Sequence, residues 1–476
     1  MNFVSLSFLL FLFVAAVCYY VMPKITRPFW MLACSYTFYL YDPENAPFVA
    51  LLLGMTAATY LLGLLIQICP VKPVRIAAVA AAVLGCSGVL GWGLYLHTAI
   101  KPTALAGLMV PLGSSYFTFA ALGYIIDVYR GKTRAERNPL YYALFVSFFP
   151  CIVTGPIERA GNLLPQFKRK VTFDYNHVSG GMFRILWGCF KKLVIADTIG
   201  GIVGTVFGKP AQYSGPILLI ACLLFTYQLY CDFSAASDIA IGAAAVFGIE
   251  VMENFTRPLA ASSYTELWRR WHISLSSWFR DYLYFPLGGS RKGKLRAHVN
   301  QVIVFSVSGL WHGLTPGYLI WGLLNGVFLA VGKETSAVRG RIAARNPLYR
   351  LSALKSVIQA VIVYLLFTAT LVFFRAASLS DAAVIYGGLW QGWDVVFSQS
   401  SRFLSSLSAV GWKDAVPWII LGGAFGVELL EFWRIPVNQL IRRIPFFVRW
   451  PLYYALIILI GFYGQFGSSG FIYQQY

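Results

Sequence analysis

The stretch QVIVFSVSGLWHGLTPGYLIWGLLNGVFLA, residues 301–330, is apolar along both arms and interrupted at its centre by HGLTPG. Its flanks decide how it sits. Residues 257–296 carry eight Lys/Arg against two acidic residues, and residues 331–355 carry six against one. Basic loops mark the cytoplasmic side of a membrane protein. A single crossing would put the two basic flanks on opposite faces. The segment is therefore expected to enter and return on one side, or to cross twice through broken helices. Its first arm, QVIVFSVSGLW, reaches roughly 16 Å as a helix, about half the hydrocarbon thickness. Irregular backbone at that depth is tolerated only when it is buried in protein or lines a wet cavity. His312 is thus expected at mid-membrane, at the tip of a re-entrant element beside a cavity.

The rest of the chain agrees with a membrane setting. Hydrophobic residues make up 58% of the 476 and charged residues only 12%, too few to coat a soluble surface. Apolar runs recur at 3–22, 48–69, 76–96, 215–231 and 415–426. The fold class read from this pattern is an all-α polytopic membrane protein. It has about eleven membrane segments, with re-entrant and interfacial helices besides. No long polar stretch marks a separate soluble domain. The chain reads as one integral-membrane unit, 1–476, with N-terminal membrane helices over 1–110 and a motif-bearing core over 111–476. The first run lacks a basic leader and a small-residue cleavage site, so it reads as a retained span. Lys24 and Arg27 follow it, which puts the N-terminus outside. The formal charge of +19 belongs to cytoplasmic loops facing anionic lipid, and no nucleic-acid partner is expected.

ELWRRWHISLSSWFRDYLY, residues 266–284, reads as one amphipathic helix in the cytoplasmic interface. Leu267, Trp268, Trp271, Leu275, Trp278, Phe279 and Tyr282 form its apolar side, and Arg269, Arg270 and Arg280 its polar side. His272 stands at the border. GGSRKGKL, residues 288–295, has P-loop glycine spacing, but Leu295 stands where a Ser/Thr must hold magnesium, and no strand precedes it. Nucleotide hydrolysis is excluded, while Arg291, Lys292 and Lys294 stay available to an anionic partner. Asp232 and Asp238 lie in apolar surroundings, where a carboxylate is costly and signals either function or pairing with a cation. The eight cysteines are scattered singly, with no ligand spacing, so no metal site and no disulfide framework is expected.

The motifs ENFTRPLAASSYTELWRRWHISLSSWFRDYLYFPLGGSRKGK and GLWHGLTPGYLIWGLLNG resemble the membrane-bound O-acyltransferases, and within them the bacterial alginate O-acetylase-like branch. PLGSSYFTF, FFPCIVTGPIER, FKKLVIADTI, QLYCDFSAASDIAIG, FFRAASLSDA and FIYQQY extend the likeness over about residues 110–476. The resemblance implies a helical fold around a central tunnel from a cytoplasmic opening to an extracytoplasmic funnel. It carries the family's essential histidine onto His312 and its second recurrent histidine onto His272. Asn325 stands where this branch commonly has a histidine.

Acyl transfer to a hydroxyl needs a base for the proton and a donor for the developing oxyanion. Imidazole suits the first role, and His312 is its candidate, as base or as a covalent acyl carrier. His272 is expected to orient the donor. Trp311, Asp232, Asp238 and Asn325 are candidates for substrate contact. Arg269, Arg270, Arg291, Lys292 and Lys294 are candidates for steering an anionic donor. That donor is acetyl-CoA or an acyl-carrier thioester, and no tightly bound cofactor is expected. The remaining expected partners are membrane lipids, a polysaccharide acceptor and an extracytoplasmic esterase-like acetyltransferase. The implied location is the bacterial plasma membrane. D-alanyl transfer toward teichoic acid and a non-enzymatic lipid or glycan transporter are the alternatives.

Overall fold

The computed structural model describes residues 1–99, 113–345, 352–394, 396, 415–432, 444–467 and 470–471. The boundary drawn at 110/111 and most of FIYQQY lie outside them. Helix is the dominant regular element, and no strand occurs among the described residues. In chain order the principal helices begin with α1 (Leu6–Val21), α2 (Arg27–Leu40), α3 (Val49–Ile68), α4 (Lys72–Ala99) and α5 (Ser114–Tyr129). After them come α6 (Tyr175–Phe190), α7 (Gly215–Val246), α8 (Tyr264–Arg270), α9 (Ile273–Phe279), α10 (Lys294–His312) and α11 (Pro316–Glu334). The last three are α12 (Ser352–Arg375), α13 (Ala415–Phe432) and α14 (Phe446–Tyr463). Five helical stretches, Pro43–Ile68, Lys72–Gly93, Gly215–Val246, Leu354–Arg375 and Phe446–Tyr463, are long and apolar enough to cross a membrane, and Leu6–Val21 is a shorter apolar helix. The chain is a multi-pass helical membrane protein.

The opening stretch forms a helical hairpin. The first arm starts earlier than the apolar pattern suggested, at Lys294, because Gly293 (φ 93°) ends the preceding glycine turn and frees the helix to begin. At the foot His298 Nε2 meets Glu334 Oε1 at 2.9 Å, and Lys333 Nζ donates to Gln301 Oε1 at 3.1 Å. From His298 to His312 the helix climbs about 21 Å. The break covers Gly313, Leu314 and Thr315, and Pro316 starts the return arm at a position where its missing N–H costs nothing. Two glycines set how closely the arms pack. A Cβ at Gly309 would strike the Tyr318 carbonyl oxygen, and one at Gly322 would strike that of Phe305. Small residues of this kind let membrane helices approach backbone to backbone.

The 32-residue α7 is the central post. Its N-terminal half packs in one apolar cluster with Trp271, Trp321 and α12. Its C-terminal half packs in another with α1, α2, α3, α5 and Trp278. α6 lies antiparallel along it, and a Cβ at Gly181 would come within 2.7 Å of the Gly242 carbonyl oxygen. At its end α6 widens into a π-helical turn, Lys191–Ala196, which turns two successive lysines onto α7.

One expectation is corrected. Residues 266–284 are not one amphipathic helix. α8 stops at Arg270 and α9 starts at Ile273, with His272 between them at φ 44°, ψ 54°, and Arg280–Tyr284 forms a π turn. The physical reason is tertiary. Segment 249–257 pairs with the break through Ile273 N–H to Asn254 O (2.9 Å) and Thr256 N–H to Arg270 O (3.0 Å). These bonds outbid the local periodicity. The apolar residues accordingly divide, Leu267 and Trp271 into one cluster and Leu275, Trp278, Phe279 and Tyr282 into the other.

Candidate active site

His312 is the last residue of α10, and its side chain is 4% exposed. Trp311, Tyr318, Trp321 and Phe374 surround its ring, with centroids at 4.6, 6.2, 5.3 and 5.0 Å. Gly313 is required here, since a Cβ would lie 2.6 Å from the Tyr318 ring. His272, placed by the break between α8 and α9, is 2% exposed and has Phe233 edge-on at 4.5 Å. Trp311 is the shared neighbour, with its ring 6.4 Å from that of His272. The hairpin tip and the helix break therefore bring together two histidines from different elements. His272 belongs to this buried centre and does not sit at the edge of an interfacial helix.

A cavity of about 380 Å³ lies between the hairpin foot, at Gln301 and Lys333, and Ser308 and Ile273, the latter adjacent to His272. Ser308, one helical turn before His312, is among its inner lining, together with Val304 and Phe305. Arg269, Arg280 and Lys333 stand among its lining as the cationic groups. Arg280 Nε bonds Asp281, whereas Arg269 and Lys333 have no carboxylate partner among the described residues. Like charges around a cleft that lacks a counter-charge focus a field that attracts anions.

The other predicted residues fall elsewhere. Arg270 binds Glu266 and the Arg257 carbonyl, bracing α8. Arg291, Lys292 and Lys294 are exposed on the glycine turn and do not line the cavity. Asn325 is fully buried, accepts from the Tyr264 hydroxyl and donates to the Trp321 carbonyl, tying α8 to α11. Asp232 and Asp238 belong to an ion-pair network. Lys192 Nζ reaches Asp232 at 2.8 Å and Asp197 at 2.7 Å, and Lys191 Nζ reaches Asp238 at 2.6 Å and Ser234 Oγ at 2.7 Å. Arg184 joins Asp238 to Glu253. Three groups had no sequence signal of their own. Lys333 and Ser308 come into the cavity only through the hairpin. Asn254, adjacent to Glu253, reaches His272 across the helix break, with its Oδ1 3.0 Å from His272 Nδ1.

A polytopic helical protein that buries two histidines around one tryptophan, with a cavity bearing cationic groups beside them, has the build of a membrane-embedded transferase. The profile of the membrane-bound O-acyltransferase family matches residues 132–376, which contain every site residue named above, and the chain belongs to that family. It is 36% identical over 401 residues to the probable alginate O-acetylase of Pseudomonas putida, covering 81% of this chain and 79% of the relative. It is 31% identical over 395 residues to the peptidoglycan O-acetyltransferase of Helicobacter pylori, covering 76% and 73%. The teichoic acid D-alanyltransferase of Bacillus subtilis is 31% identical over 230 residues, covering 46% of this chain and 58% of the relative. The chain is a membrane O-acyltransferase.

Proposed function

We propose that the chain takes acetyl groups from a cytoplasmic thioester, acetyl-CoA or an acyl-carrier thioester, for O-acetylation of an exported cell-surface polysaccharide, alginate-like or other. The observation that carries this reading is the convergence of His272 and His312 on Trp311, beside a cavity whose lining includes Ile273 and Ser308 and the cations Arg269 and Lys333. Both donors bear phosphate next to a long, thin arm, and the phosphate suits the cationic lining of that cavity. The relatives named as alginate and peptidoglycan acetylating enzymes support a glycan acceptor. The acceptor hydroxyl meets the acyl group from the extracytoplasmic side, either directly or through an esterase-like partner. The setting proposed is the bacterial plasma membrane, N-terminus outside. The basic residues after α1 support this orientation, since Arg27 binds the Val171 carbonyl beside Lys168, Arg169 and Lys170.

In the reaction, His312 takes the hydroxyl proton as the oxygen bonds to the acyl carbon. The carbon–sulfur bond then breaks, and the proton passes to the leaving sulfur. The Trp311 indole N–H is buried beside both histidines and has no acceptor among the described residues, so it is suited to the oxyanion. Removing one such donor costs up to about 10²–10³ in rate. Trp311→Phe keeps the ring and deletes the N–H. It should lower kcat about a hundredfold with the donor KM little changed. A rise in KM alone would remove Trp311 from the chemical step. Arg269→Ala and Lys333→Ala should each raise the donor KM about three- to tenfold, and less at high salt, with kcat nearly unchanged.

Transfer of radiolabelled acetyl from acetyl-CoA, or from an acetyl-carrier protein, into polymer by membranes that contain the chain tests the reading. Labelled polymer supports it. Transfer only from a D-alanyl carrier thioester replaces it with D-alanylation, and movement of glycan without a labelled ester replaces it with transport.

A further inference from the structure

Asn254 is completely buried, and each of its side-chain atoms has a defined use. The backbone N–H of Ser274 donates to Oδ1 at 3.2 Å, the Ser274 hydroxyl donates to the same oxygen at 2.9 Å, and Nδ2 donates to Ser237 Oγ at 3.0 Å. A backbone N–H can only donate, so the atom it meets is the amide oxygen. That fixes which way the amide lies. His272 Nδ1 stands 3.0 Å from that oxygen. A ring nitrogen facing an acceptor must carry the hydrogen, and the neutral imidazole then has its lone pair on Nε2.

We infer that Asn254 is the positioning residue that sets the tautomer of His272, so that the ring enters the acyl-transfer site with Nε2 as a hydrogen-bond acceptor. The inference rests on the acyltransferase reading above and deepens it. His272 meets a substrate N–H or O–H group by its hydrogen, which orients the donor arm or the acceptor hydroxyl without supplying a hydrogen to the oxyanion.

The local backbone supports a dedicated arrangement. His272 and Arg257 are the two non-glycine residues with positive φ among those described, at 44° and 49°, and they lie at either side of the same clamp. Such left-handed conformations are strained for residues with a Cβ and persist where the surroundings over-determine them. Here Ile273 N–H to Asn254 O and Thr256 N–H to Arg270 O hold the two chains together, and Arg184 grips the neighbouring Glu253. His272, Ser274 and Ser237 are 2%, 0% and 2% exposed, so bulk water has little access to replace the amide.

The test is a double-mutant cycle in membranes, read as acetyl transfer per unit of folded protein. Asn254→Leu should lower transfer about ten- to a hundredfold. In a His272→Phe background it should cost nothing further, because the group it acts through is gone. Asn254→Asp, which keeps an oxygen for Nδ1–H, should stay within about threefold of the parent. Asn254→Ser, too short to reach the ring, serves in place of the leucine variant if that chain does not accumulate. An equal loss in both backgrounds, or an aspartate variant as poor as the leucine one, overturns the inference. The parent and His312→Ala, run alongside, report on the acyltransferase reading alone, so an active parent with additive losses identifies the tautomer assignment as the part that failed.

Discussion

His312→Ala is expected to leave the chain folded and abundant in membranes while acetyl transfer falls to about a thousandth of the parent rate or less. A positioned base contributes roughly 10²–10⁴, and in the variant no other side chain of the aromatic box can accept a proton readily at neutral pH. Folding survives because the hairpin is held elsewhere. Gly309 and Gly322 lock its arms together, His298–Glu334 and Lys333–Gln301 close its foot, and Asn325 ties it to α8. The lost ring leaves a hole among Trp311, Tyr318, Trp321 and Phe374, which lowers stability without erasing the fold. Detergent-extracted protein should therefore give a monodisperse size-exclusion peak in the parent's position. Full transfer activity in that preparation would sink the assignment of His312. Label retained on the parent after the acceptor is withheld, and absent from the variant, would identify an acyl-histidine relay in place of base catalysis.

Lys192→Met is expected to act on the fold. Its ammonium is 2% exposed and lies between Asp197 and Asp232, and it also reaches the Gly470 carbonyl at 3.3 Å. Removing it takes away the cation that Asp197 and Asp232 share. Breaking a buried pair from one side costs about 3–5 kcal/mol, a large share of the margin of an ordinary domain. The variant should accumulate poorly and melt at markedly lower temperature in a thermal-shift assay. Lys192→Met with Asp232→Leu should recover part of the loss and not all of it, since Asp197 keeps its charge. Near-parental stability of the single variant would show that the network contributes little to folding.

Much of this molecule is legible in its sequence. The apolar runs 3–22, 48–69, 76–96, 215–231 and 415–426 overlap α1, α3, α4, α7 and α13. Charge on both sides of 301–330 calls for a chain reversal, and the backbone turns back as a helical hairpin at Gly313–Thr315. These features are local. Apolar length, a proline and two glycines act on the residues around them, so they can be read in order along the chain. The broken helix at His272 has no such mark, because WRRWHISLSSWF contains no glycine or proline and keeps a good helical period.

In the sequence Asp232 and Asp238 read as either substrate contacts or partners of a cation. In the structure they pair with Lys192 and Lys191, some forty residues away and turned inward by a π turn. Of the five cations that the sequence offers to the donor, Arg269 alone lines the cavity, joined there by Arg280 and Lys333.

Local patterning along the chain is enough for the solvent and most of the helices: a helical membrane chain, a hairpin with a histidine at its break, and an acyltransferase resemblance. Which polar groups meet depends on the tertiary packing. His272 beside Trp311, Asn254 against His272, and lysines against the aspartates each join residues far apart in the chain or across a broken helix. The physical reason is that a buried polar group must be satisfied by whatever donor or acceptor packing brings to it, and packing is a property of the whole fold.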